Sequence, residues 1–455
     1  MTNKTTTNRI QYYTLGCIIK WGIAFFLFFL LSYSGFAQLP NVFSPVTAFN
    51  LGTQACNNTG TPTTITISNN NAAFAVGNTV LIIQMKGATV NTASQPEPPT
   101  AAADAVFGSI TAYNQAGNYE FAVVATNSGG ATLTFTQPLV NTYNPAIGPV
   151  QLVSVPQYTN LTISTPLIGT QWNGTIGGVL VFQVGGTLTL NSTISMDSAG
   201  FKGGKLIQLT TGVPCNEGPY TLATFPTTGT QSTSYRGEGI VTNALPFGRG
   251  AMANGGGAGS GHNGGGAGGG NYCAGGEGGY EYSPCYNTTG ATLPFFSTTP
   301  NYVGGAFGTG PTDRQSLPGY AVTPTNTKVF LGGGGGGGNG DDNAATPGGN
   351  GGGIIIISAD VIAGTSGIIS ANGQAGWRNM LAPYTGTSDG VGGGGAGGSI
   401  LLDVNQYTIG SLTVQANGGK GGDNYQASTC HGTGGGGGAG YINFSTAAPT
   451  NVTTS

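Results

Sequence analysis

Apolar and polar residues alternate over short distances through residues 38–170, and Gly, Asn and Pro interrupt the alternation every few positions. Thr63–Ile67 and Ala75–Met85 are β-rich, the second with a Gly77-Asn78 turn inside it. Gly108–Tyr113 and Tyr119–Val124 flank a turn at Asn114–Asn118, and Thr132–Phe135 follows another at Asn127–Gly130. Strands at roughly 8–12-residue spacing with turn residues between them predict a small β-barrel or sandwich. Residues 93–103, rich in Pro, Ala and Thr, predict an exposed loop. No stretch sustains a helical period with caps, so the expected class is all-β.

The pattern changes from Gln171 onward, where similar units recur through residue 446. Each unit runs from glycines into an apolar strand, a short turn, a second strand and a closing turn. The strands are Gly178–Val184 with Leu188–Leu190, Gly353–Ala359 with Ile368–Ala371, and Gly398–Val404 with Leu412–Ala416. A fourth unit begins at Gly440–Phe444. The last steps are roughly 42–45 residues apart, within the range of repeat architectures. A strand apolar at every position, such as Ile354–Ile357, needs cover on both faces. Stacked units in a β-solenoid-like domain supply that cover, and so does a three-layer sandwich. Ala371-Asn372-Gly373 and Ala416-Asn417-Gly418 suggest tight turns, because Asn and Gly tolerate positive φ.

Glycine, 86 of 455 residues, collects in runs at 255–270, 332–338, 392–398 and 434–440. No Gly-X-Y period makes the chain a collagen. As flexible loops the runs would stay mobile. As polyglycine segments with three residues per turn, packed side by side, they would hydrogen-bond laterally because no Cβ keeps the backbones apart.

Residues 1–37 read as a signal peptide. Lys4, Arg9 and Lys20 precede the short apolar run Trp21–Leu31, and Gly35-Phe36-Ala37 sets small residues before a cut at Gln38. The expected location is therefore secreted or at the cell surface, with no transmembrane segment in the mature chain. Charged residues are only 6% of the chain, and the leader holds three of the 12 basic residues and none of the 15 acidic ones. The mature chain is thus more acidic than the overall −3 and carries no basic cluster, which excludes a nucleic-acid partner.

Candidate chemistry is sparse. His262 and His431 sit beside glycine runs without a nucleophile or acid signature. Asp341-Asp342, Asp389, Asp423, Glu277 and Glu281 are the carboxylates that a glycosidase reading would have to pair. Asp341 and Asp423 lie in Gly-Asn-Gly-Asp and Gly-Gly-Asp-Asn stretches that fit a calcium-binding nonapeptide, the one candidate for a cofactor. Cys273 and Cys285 are the expected disulfide, as only a short loop separates them. Tyr272, Tyr280, Tyr282 and Tyr286 cluster around them and suggest either a stapled loop packing its own aromatics or a ligand-contact surface.

Val80–Ala88, Val150–Tyr158 and the glycine repeats ending in Ala-Asn-Gly resemble secreted glycine-rich surface proteins of gliding and predatory bacteria. The glycine stretches also resemble those of glycine-rich phage tip adhesins. The resemblance implies an adhesin-like protein and supplies no catalytic residues. Such proteins often carry a C-terminal sorting domain for type IX secretion, which residues 447–455, expected to be a flexible tail, do not contain. The expectation is a structural or adhesive, non-catalytic protein whose partners are cell-surface or matrix polymers, polysaccharide included. A carboxylate-pair polysaccharide-degrading β-helix and a calcium-dependent binding module are the alternatives.

Overall fold

The computed structural model describes residues 41–50, 52, 63–92, 107–205, 234–242, 245–259, 263–279, 318–325, 327–340, 345–377, 389–424, 431–446 and 452–455. Residues 1–37 and 93–103, His262, Tyr280, Glu281, Tyr282, Cys285, Tyr286, Asp341 and Asp342 lie outside these residues. The fold is essentially all-β, with antiparallel and parallel sheets.

Strands β1 (Phe43–Asn50), β2 (Thr64–Ile67), β3 (Thr79–Gln84), β6 (Tyr119–Asn127), β7 (Thr132–Phe135) and β8 (Val150–Ser154) close an antiparallel barrel in the order β1-β2-β7-β6-β3-β8. Two short strands, β4 (Thr89–Val90) and β5 (Ile110–Ala112), pair beside it. The barrel is filled by Val46, Ile65, Ile67, Val80, Ile82, Leu133, Phe135 and Leu152. Every residue of β3 is buried. Val80 and Ile82 point into the barrel, while Leu81 and Ile83 point outward into a second core. Strand side chains alternate between faces, so a strand buried throughout reports cover on both sides.

What covers β3 is the repeat region. One parallel sheet runs β10 (Leu161–Ile163), β12 (Val179–Leu190), β14 (Ile354–Gly364), β16 (Ser399–Ile409), β18 (Tyr441–Phe444), with β9 (Gln157–Tyr158) also on β12. The other runs β11 (Leu167–Ile168), β13 (Thr193–Ser195), β15 (Gly367–Ser370), β17 (Leu412–Gln415), β19 (Val452–Thr454). Ile354 pairs with Ser399 and Ser399 with Tyr441, so consecutive units lie in register. Alternate residues of the long strands serve different cores. Ile355, Ile357, Ile400 and Leu402 face the second sheet, against Ile369 and Val414. Ile354, Ile356 and Leu401 face the barrel residues Leu81, Ile83 and Val153 and the aromatic Phe330.

Two expectations differ from the structure. Asn372, Gly373, Asn417 and Gly418 are not at positive φ. The residues that follow β15 and β17, 371–377 and 416–424, form neither a turn nor regular secondary structure. Val452–Thr454, in the expected flexible tail, form β19, held in parallel register by Leu412–Val414.

Candidate functional site

The glycine runs connect the strands and are bonded to one another in a pattern with period three. In Gly390–Gly398, Gly393 and Ala396 donate to the carbonyls of Gly336 and Gly333, Gly394 and Gly397 to Gly435 and Gly438, and Gly395 and Gly398 to Gln374 and Ala371. The run's own carbonyls accept from three further segments. Gly349 and Gly352 donate to Gly393 and Ala396, Gly266 and Gly269 to Val391 and Gly394, and Gly422 and Gly419 to Gly392 and Gly395. Gly332–Asn339 is surrounded in the same way, by segments at 201–204, 235–238, 256–259, 264–270, 346–352 and 390–396.

Close approach enforces the composition. A Cβ built on Gly335 would overlap the carbonyl of Gly393, and one on Gly395 that of Asn350. Where a run ends, asparagine amides take over the backbone's role. Asn271 Nδ2 donates to the carbonyls of Gly397 and Gly398 at 2.7 and 2.9 Å, and Asn254 Nδ2 to those of Gly270 and Leu331 at 3.2 Å. Both asparagines are fully buried, where a primary amide must find partners. Sequence reasoning missed them because each lies at the edge of a run and looks like a turn residue.

The two ends of the parallel stack differ. At the first unit, Asn41 acts as a strand surrogate on β12. Its Nδ2 donates to the Val181 carbonyl at 2.7 Å, and its Oδ1 accepts from the Val181 N–H at 3.1 Å. The same Nδ2 reaches the carbonyl of Ser154 at 2.8 Å, tying this edge to the barrel. At the last unit, β18 pairs with β16 on one side and with no strand on the other among the described residues. All four residues of β18 are half-buried, whereas Ile355 and Ile400, which stand in register with Ile442, are fully buried.

This open end carries a groove of about 470 Å³ lined by Tyr272, Ala416, Ala439, Tyr441, Phe444 and Ser455, among others. No lining side chain is charged. Tyr272 is 57% exposed and its ring lies 5.8 Å from that of Tyr441, tilted by 37°. Burial first, then the neighbouring Tyr272, raises the Tyr441 phenol above its ordinary pKa of 10.0, so it stays a neutral donor. Of the aromatics singled out in the sequence, Tyr272 thus lines a groove, and its partner Tyr441 is contributed by a strand far along the chain.

Asp423 is exposed and Asp389 is buried. Cys273 is exposed and bonded to no described cysteine. Among the described residues no three His, Cys, Asp or Glu side chains come together as a metal site. Nor is any helix there long and apolar enough to cross a membrane. No protein-family model, curated protein or solved structure matches the chain.

Proposed function

We propose that this chain is a non-catalytic structural or adhesive protein of a cell surface or extracellular matrix. In this reading the runs are polyglycine segments of three residues per turn, bundled beside a solenoid-like stack of parallel strands. The barrel packs on one face of the stack and is tied to its first unit, and the last unit meets the partner. The observation that carries the reading is the bonding of Gly390–Gly398 to segments on all sides. Ordering glycine costs more backbone entropy than ordering any other residue, about 0.5–1 kcal/mol beyond Ala in regular structure. A chain that orders this many glycines gains a rigid body whose interior is backbone, with little side-chain chemistry to offer. Rigidity and an aromatic groove without charged side chains suit attachment to a surface polymer better than they suit turnover.

Amide hydrogen exchange, resolved by peptide or by NMR, tests the scaffold. Gly393, Gly394 and Gly397 should exchange slowly, near the rate set by global unfolding. Rapid exchange across every run would sink the bundle. Incubation with matrix polysaccharides tests the absence of turnover: retention without new reducing ends is expected, and accumulating fragments would move the protein to the hydrolases.

A further inference from the structure

The outermost glycine run is incompletely bonded, and what it lacks is regular. In Gly434–Gly440, Gly434, Gly437 and Gly440 donate to the carbonyls of Gly422, Gly419 and Ala416, and Gly435 and Gly438 donate to those of Gly266 and Gly269. The carbonyls of Gly435 and Gly438 accept from Gly394 and Gly397, and those of Gly436 and Ala439 from Gly276 and Cys273. Among the described residues, the N–H groups of Gly436 and Ala439 and the carbonyls of Gly434 and Gly437 have no partner.

The strand register identifies the missing partner. Ser399 stands opposite Tyr441, so Gly440, Ala439, Gly437, Gly436 and Gly434 occupy the places of Gly398, Gly397, Gly395, Gly394 and Gly392 one unit earlier. Gly394 and Gly397 donate to Gly435 and Gly438 of the following run. Another unit back, Gly349 and Gly352 donate to Gly393 and Ala396 in the same way. The carbonyls of Gly392 and Gly395 accept from Gly422 and Gly419, the segment that follows the second strand of their own unit. The vacant donors are therefore those that, twice inside the molecule, bind the run of the next unit. The edge of β18 is open in the same direction.

We infer that the end formed by Gly434–Gly440 and β18 is a docking surface for a glycine run followed by an apolar strand, presented by another polypeptide. This inference rests on the bundled reading of the runs and names the partner that the adhesive end takes. Two donors a three-residue step apart match carbonyls in an extended chain of the same period, about 9.3 Å per turn. Side chains are excluded by the partner's close approach, since Cβ atoms on Gly434 or Gly437 overlap carbonyls of the preceding run. The apolar strand then adds to β18 by edge pairing. Its side chains would lie over Tyr441 and Phe444, in the groove that Tyr272 borders.

The probe is a synthetic peptide with the sequence of residues 431–446, titrated onto the full chain, against a control peptide carrying Val at the positions of Gly434 and Gly437. Binding of the first and at least tenfold weaker binding of the second are expected. In the protein, Gly436→Pro with Ala439→Pro removes only the two vacant donors. A Cβ on Gly436 meets nothing nearer than 3.8 Å, and proline's φ fits an extended three-residue turn. The double variant should keep its Tm and lose peptide binding at least tenfold. Equal binding of both peptides, or unchanged binding by the double variant at wild-type Tm, overturns the inference. So does a concentration-dependent dimer that the prolines abolish while peptide binding is absent, which would assign the face to self-pairing. Slow glycine exchange with no peptide binding would refute the partner and leave the scaffold standing.

Discussion

The backbone N–H of Asn417 donates to Oδ1 of Asn372 at 2.8 Å, one unit back along the stack. Asn372 in turn donates its N–H to Oδ1 of Asp197 at 2.6 Å, and Asn417 Nδ2 reaches Ser455 Oγ at 3.1 Å. Four successive units are thus linked by side chains that each accept from, or donate to, the unit above. Asn372→Ala removes an acceptor from a partly exposed N–H and should cost about 1 kcal/mol, read as a lower denaturation midpoint at unchanged m-value. Asn372→Asp restores the acceptor but sets a second carboxylate beside Asp197. Its deficit should shrink as pH is lowered through the carboxylate range, and a deficit independent of pH would deny the ladder its geometry.

That ladder also marks what could be read without coordinates. Ala-Asn-Gly was visible as a recurring element, and its positive-φ reading was wrong, because the competing role for Asn is a tertiary hydrogen bond that spacing alone does not reveal. Barrel strands were legible where one face meets solvent. At β3 the outward residues Leu81 and Ile83 join a core that includes Ile354 and Leu401, residues far away in sequence, so alternation disappeared. The glycine runs were legible as a repeated feature, but a run of identical residues holds no sign of which N–H faces which neighbour. Tyr441 escaped notice as a site residue because its contact with Tyr272 crosses from one glycine layer to another.

Glycines in the interior and at the open end should respond oppositely to alanine. Gly335→Ala places a Cβ against the Gly393 carbonyl, in a layer without space to relax, and overpacking of that kind costs about 1–3 kcal/mol or more. Gly436→Ala meets the Gly419 carbonyl at 3.8 Å and the Gly421 nitrogen at 3.9 Å, both ordinary contacts, and should be neutral or slightly stabilising, by about 0.4–1 kcal/mol, through the unfolded chain. Thermal melts of the two variants check the contrast. Equal sensitivity would mean that the open face is covered.

Glu120, on β6, should make the barrel less stable as pH rises. Its Oε2 accepts from the Val140 N–H at 2.8 Å, and its Oε1 from the Asn141 N–H at 2.9 Å and the Tyr143 hydroxyl at 3.0 Å. Burial nonetheless dominates and raises its pKa above the ordinary 4.5. The native state therefore holds a proton that the unfolded chain has released, and stability falls as pH climbs from 4.5 toward the raised value. Denaturation midpoints between pH 4 and pH 7 should show that slope in the wild type and lose this contribution in Glu120→Gln. An identical slope in both would assign it to other carboxylates.

The barrel and the glycine layers are joined through Glu238, and the joint should behave as one unit. Lys86, just after β3, pairs its Nζ with Glu238 Oε1 at 2.6 Å and lies 5.5 Å from the centre of the Phe201 ring. Trp172 Nε1 donates to both carboxylate oxygens at 3.0 Å, and the Lys202 N–H donates to Oε2 at 2.9 Å. The backbone of Glu238 belongs to the glycine layers, since its carbonyl accepts from Gly334. The side chains of Lys86 and Glu238 are 12% and 19% exposed, so bulk salt screens the pair weakly. Lys86→Met leaves a mostly buried carboxylate with neutral donors only and should cost about 1–3 kcal/mol. Glu238→Gln leaves Lys86 unneutralised and gives up one oxygen acceptor to Trp172. Once either partner is gone the other has less to lose, so the double variant should cost less than the two single changes together, by about 0.5–3 kcal/mol. Strict additivity would show that Lys86 and Glu238 do not act as a coupled pair across this joint.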